Sequence, residues 1–247
     1  MKSDSVRQWA NVLAVLATIA INGLANALPL NGQTTGEISD RFPVYFTPAG
    51  YVFAIWGLIY VGLVAFAVYQ ALPGQRDNPR LRRVGGLFVL ASLANIVWLF
   101  LWHYEVLGLT VVAMVALLLS LIAVYLRLET GRSRVGNGEK WLVRVPFSVY
   151  LGWITVATIA NITVLLYDLN WSGWVIAPEV WLVLVLVVGV ALAATVSLTR
   201  GDVAYLLVLV WAFAGIAVKH QGTTTVAVAA SIAAVLVAAL AVIAALR

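Results

Sequence analysis

The chain of 247 residues is 63% hydrophobic and only 10% charged, with a formal net charge of +5. Soluble domains average about 45–50% apolar and about 25% charged residues, so a water-soluble enzyme or binding domain is excluded. With no cysteine present, disulfides, thiolate metal sites and a cysteine nucleophile are excluded as well.

Apolar runs long enough to cross the roughly 30 Å hydrocarbon core recur from end to end. The pattern predicts an all-α, polytopic transmembrane bundle of about eight spans. They fall at roughly 7–28, 48–72, 84–103, 106–127, 143–168, 178–199, 202–219 and 223–246. The first follows Lys2 and Arg7 and ends near Ala25-Asn26-Ala27, as a signal peptide would. Signal cores run only about 7–15 residues, so this longer run reads as a retained helix. The connections 29–47 and 128–142 carry Gly, Ser, Thr or Pro in loop fashion. Pro48, Pro146 and Pro178 sit near span starts, where a missing N–H costs little.

The second span opens with TPAGYVFAIWGLIY. Phe53, Trp56 and Tyr60 are spaced i, i+3, i+7, which places them on one helix face. Gly50 and Gly57 between them would allow close backbone approach. The third span repeats the spacing with Asn95, Trp98 and Trp102. The fifth repeats it with Tyr150, Trp153 and Ala157, and reaches Asn161 one turn on. Trp102, Tyr104, Tyr150, Trp171 and Trp174 lie near span ends, where an interfacial aromatic belt explains them equally well. An amide in hydrocarbon needs a partner, so Asn95 and Asn161 should face the bundle interior. There they either bond between helices or line a cavity. The last three spans are mostly Ala, Val, Leu and Ile and read as packing or partner surface.

Placing the N-terminus inside puts thirteen Lys and Arg on inside segments and leaves only Arg41 and Lys219 outside. This bias predicts two cytoplasmic termini. It also accounts for the basic charge without nucleic acid. His103 and His220 fall at the outer boundary, where a lone histidine is more often solvated than a haem or chlorophyll ligand. Lys219 reads as a snorkelling residue. Glu105 and Asp168, at outer helix ends, are too shallow for a proton relay.

Three blocks carry a family resemblance. PAGYVFAIWGLIY resembles the second-helix signature of the TspO/MBR family of tryptophan-rich sensory or translocator proteins, through Pro48, Phe53, Trp56 and Tyr60. ANIVW is similar to the family's third-helix pattern, through Asn95 and Trp98. PFSVYLGWITVATIAN resembles its fifth-helix pattern, through Pro146, Tyr150, Trp153, Ala157 and Asn161. The resemblance implies a TspO-like five-helix core over residues 1–170, followed by three additional helices of unknown role over 171–247. It implies a bundle cavity for a hydrophobic, tetrapyrrole-like ligand (porphyrin, haem or chlorophyll-type) and a frequent homodimer. The ligand positions it implies are Trp56, Asn95 and Trp153, with Phe53, Tyr60, Trp98, Ala157 and Asn161 around them. A sterol-type pattern would need Lys or Arg soon after Tyr167, and Asp168-Leu169-Asn170-Trp171 follows instead.

The expected protein is a sensor, receptor or carrier in a prokaryotic cell membrane, partnered by the lipid bilayer and a hydrophobic small molecule. An accessory subunit of a larger membrane complex and a small-molecule transporter are the alternatives. No metal site or catalytic constellation is expected. Porphyrin degradation, proposed for the family, has no acid–base pair or nucleophile to support it here.

Overall fold

The computed structural model describes residues 2–247, with side chains from Asp4 onward. Met1 and the side chains of Lys2 and Ser3 lie outside the described residues, so the contribution of Lys2 to the charge bias is a sequence argument only. The described residues form helices and no strand: α1 (Lys2–Ala27), α2 (Thr35–Asp40), α3 (Ile55–Ala71), α4 (Pro79–His103), α5 (Leu107–Arg127), α6 (Asn137–Glu139), α7 (Val145–Asp168), α8 (Pro178–Arg200), α9 (Val203–Lys219) and α10 (Thr224–Ala245). Seven segments among them are long and apolar enough to cross a membrane, and α9, of 17 residues, is a shorter apolar helix. The chain is a polytopic helical membrane bundle.

Local chemistry sets the helix ends. Asn78 caps α4 by accepting from the N–H groups of Arg80 (3.0 Å) and Leu81 (3.4 Å), with Pro79 in the first turn where no partner is needed. Gly201 closes α8 in the left-handed region at φ 60°, and Asp202 then starts α9 by accepting from Tyr205 N (3.2 Å). Pro146 is the second residue of α7, but the helical path does not begin afresh there. A π-helical turn, Lys140–Arg144, runs directly from α6 into α7 just before it. The missing proline N–H and its ring disturb the regular ladder, and a wider turn absorbs the disturbance.

The chain divides into two compact units, 1–35 with 56–151, and 36–55 with 152–247. In the first, α1 and α5 both pack on α4. Its core holds three edge-to-face phenylalanines: Phe66 to Phe88 at 5.0 Å, Phe66 to Phe147 at 4.9 Å and Phe88 to Phe147 at 5.7 Å. Two glycines permit the closest approaches. A methyl group on Gly85 would lie 2.6 Å from Arg7 Cγ, and one on Gly62 would lie 3.0 Å from Pro146 Cβ. Basic side chains at one end are paired, Arg80 with Glu139 (2.6 and 3.0 Å) and Arg82 with Asp4 (2.7 and 2.8 Å).

In the second unit α8, α9 and α10 pack against one another. The Ser197 hydroxyl of α8 donates to the Leu240 carbonyl of α10 at 3.0 Å. The 36–55 segment is tied to α9. Ala49 N donates to Gly215 O (3.1 Å), and Trp211 Nε1 to Val52 O (3.1 Å). Lys219 Nζ pairs with Asp40 Oδ1 at 2.7 Å. Lys219 is therefore ion-paired rather than merely snorkelling.

The glycines of the opening motif do not have the role expected of them. Nothing lies within 4 Å of a methyl group built on Gly50 or Gly57. Close approach occurs instead at Gly62, Gly85, Gly152, Gly189 and Gly215, the last directly against Val52.

Candidate functional site

The eight positions singled out in the sequence divide between the two units. Trp56, Tyr60, Asn95 and Trp98 belong to the first; Phe53, Trp153, Ala157 and Asn161 belong to the second. The second-span stripe runs across a change of helix type. Gly50–Ala54 forms a 3₁₀ turn and α3 starts only at Ile55, so Phe53 precedes the α-helical register that carries Trp56 and Tyr60. The face of this stretch that is most buried holds Val52, Ile55, Ile59, Leu63 and Phe66.

Within the first unit Trp56 stacks on Tyr60 (ring centroids 5.6 Å apart) and meets the edge of Tyr150 at 6.0 Å. On α4 the expected stripe is intact. Asn95, Trp98 and Trp102 are all buried, and the two indoles stack at 5.8 Å. Two of these aromatics are therefore not belt residues. Tyr150 is 1% exposed, and Trp102 is buried with Nε1 donating to Thr35 O at 3.2 Å.

Asn95 has a partner that the sequence reading missed. Asn22 of α1 donates through Nδ2 to Asn95 Oδ1 at 2.8 Å and to Thr18 O at 2.9 Å. Asn22 is one member of a buried polar stripe along α1: Asp4, Gln8, Asn11, Thr18 and Asn22. Steps of three, four and seven residues keep them on one helix face. That periodic signal is present in the sequence, spread over a span whose other residues are mostly apolar. Near the other end of the stripe, Gln8 Nε2 donates to Gln70 O (2.7 Å) and Gln70 Nε2 donates back to Gln8 O (2.9 Å). Asn11 Nδ2 donates to Gln70 Oε1 at 3.4 Å.

Several polar atoms in this unit remain without a hydrogen bond. They include Thr18 Oγ1, Ser92 Oγ, Asn95 Nδ2, Trp98 Nε1 and Tyr150 OH, all buried. Unmet polar groups in an apolar setting cost about 1–3 kcal/mol each, and native interiors hold few of them.

In the second unit Phe53 meets Trp153 edge-on at 5.8 Å. Asn161 is 4% exposed and its Oδ1 has no hydrogen bond. Ala157 is half-buried. The histidines also depart from expectation. His103 is 1% exposed rather than solvated, with Nδ1 2.8 Å from Leu99 O. His220 packs edge-on against Tyr45 at 5.3 Å, and burial lowers its pKa. No group of three or more His, Cys, Asp or Glu gathers as a metal site among the described residues.

No curated protein and no solved structure matches the chain. A family model described as TSPO-like protein matches residues 8–243. That stretch continues far beyond residue 170, so the helices after the fifth span fall inside the matched region. The three aromatic and amide blocks of α3, α4 and α7 sit within a match over nearly the whole chain, and the chain belongs to the TSPO-like protein family.

Proposed function

We propose that this TSPO-like membrane protein is a receptor, sensor or carrier that binds a hydrophobic, tetrapyrrole-like ligand in its first unit. One observation carries the reading: Asn95 Nδ2, Trp98 Nε1 and Tyr150 OH are three buried donors without acceptors, set among aromatic rings. A conjugated macrocycle offers a broad π-surface to Trp56, Tyr60 and Trp98, and its polar edge supplies acceptors. Membership of the family agrees with such a ligand.

The test is saturable quenching of tryptophan fluorescence by a porphyrin. Tyr150→Phe removes one donor and no packing, so it should weaken binding about 2- to 10-fold, as expected for a hydrogen bond of about 0.5–1.5 kcal/mol. Trp56→Ala should weaken it further, by about 1–3 kcal/mol. Parental affinity in Tyr150→Phe, Trp98→Phe and Trp56→Ala alike would overturn the reading.

A further inference from the structure

The second unit contains a cavity of about 500 Å³ that none of the eight sequence-selected positions lines. Its walls are the C-terminal half of α7, the first turns of α8, the 171–176 connection and Pro43–Phe46. No Lys, Arg, Asp, Glu or His lines it. The polar atoms it does have are largely committed elsewhere. Tyr45 OH donates to Glu179 (2.9 Å), Thr163 Oγ1 to Ala160 O (2.8 Å) and Trp181 Nε1 to Gly173 O (2.8 Å). At the outer end Trp171, Trp174 and Trp181 pack mutually, with centroids 5.0–5.8 Å apart. Ile162, Tyr167 and Val188 combine a place in the wall with 38–54% exposure, so the cavity is open at the surface of the unit rather than sealed.

These features define the guest. Without a fixed charge or counter-charge in the wall, an ion would be desolvated with nothing to pair it. The volume matches sites for small organic molecules, about 300–1,000 Å³. Five aromatic side chains, Tyr45, Phe46, Tyr167, Trp171 and Trp181, favour rings over a plain chain. We propose that this cavity is a second ligand site, for an uncharged, ring-bearing lipophile entering from the membrane. It shares no residue with the porphyrin site proposed above.

The test uses the full chain in phosphatidylcholine nanodiscs titrated with 1-aminoanthracene, which is neutral at pH 7.5 and brightens in apolar sites. Empty nanodiscs supply the partition baseline. The expected result is saturable binding of one probe per chain. Ile162→Phe and Val185→Phe fill the cavity from opposite walls, and each should weaken binding at least tenfold. Tyr150→Phe, which tests the porphyrin site, should leave the probe's affinity unchanged. Should one filled variant lose its helical circular dichroism, the other decides. The proposal is overturned by non-saturable uptake equal to empty nanodiscs, by parental affinity in a folded filled variant, or by loss of binding in Tyr150→Phe. It is also overturned by binding in detergent that disappears in nanodiscs, which would show that an acyl chain holds the cavity.

Discussion

The Asn22–Asn95 pair gives the clearest test of what holds α1 on α4. Asn22 is 4% exposed and Asn95 is fully buried, and their amides meet at 2.8 Å. Asn95→Leu keeps the volume but strands one N–H of Asn22, whose other N–H still reaches Thr18 O. The stranded donor costs about 1–3 kcal/mol. The substitution also deletes Asn95 Nδ2, which already lacks an acceptor, and that offsets part of the loss. A net destabilisation of about 1–2 kcal/mol is expected, and Asn22→Leu should cost a similar amount. The double variant strands nothing, so it should cost less than the two singles combined. The difference should be about 0.6 kcal/mol, the average for hydrogen bonds between helices in a membrane, and at most about 1.7 kcal/mol. Sodium dodecyl sulfate titration of helical circular dichroism in mixed micelles reads all three. Additivity within about 0.3 kcal/mol would show that the contact does not couple the helices, and the account of α1 would fail.

Gly215→Ala drives a methyl into Val52, whose branched side chain has little freedom to move, and should destabilise by about 1–3 kcal/mol. Gly57→Ala meets open space and should be neutral or stabilising by up to about 1 kcal/mol; the reverse order in a denaturant titration would refute the packing assignment. Burial lowers the His220 pKa, so the unfolded chain takes up the proton first as pH falls through about 6.5. Stability should therefore be fully present above about pH 6.5 and decline below it, and His220→Gln should flatten that decline in thermal melts between pH 7.5 and 5. Both termini are expected to be cytoplasmic, with α9 completing an eighth crossing at only 17 residues. Single cysteines at Asn137 and after Arg247 should then label with an impermeant reagent from the inside, and one at Ser172 from the outside. Labelling of the last two positions on opposite faces from those stated would refute the topology.

Fold class was legible because long apolar runs in a chain with 10% charge have few other solutions. The α4 stripe was legible too, since a regular helix preserves the three- and four-residue spacing that puts Asn95, Trp98 and Trp102 together. At Phe53 the spacing runs across a 3₁₀ turn, where residues three apart eclipse, and what the spacing did not reveal is that Phe53 precedes α3 while Trp56 and Tyr60 lie in it. Glycine roles were not legible at all. Whether a missing Cβ matters depends on what stands opposite, and Gly215 faces Val52 of a segment more than 150 positions earlier while Gly57 faces nothing.

The polar stripe of α1 shows a different kind of omission. Apart from Asp4 at its start, its residues are uncharged amides and a hydroxyl scattered over a span that is apolar enough to cross a membrane. Yet in hydrocarbon each of them must point at another polar group, so their shared face already implied a polar partner surface on a neighbouring helix. Asn95 is that surface's most visible member, and for it the sequence leaves both an inter-helix bond and a cavity position open. The structure assigns its two amide atoms to different positions: Oδ1 receives Asn22, and Nδ2 has no acceptor. A structural role and a ligand role are therefore not alternatives at this residue. Stability changes in Asn22 variants report the first, and porphyrin affinity in Tyr150→Phe probes the donor set that Nδ2 belongs to without disturbing the first.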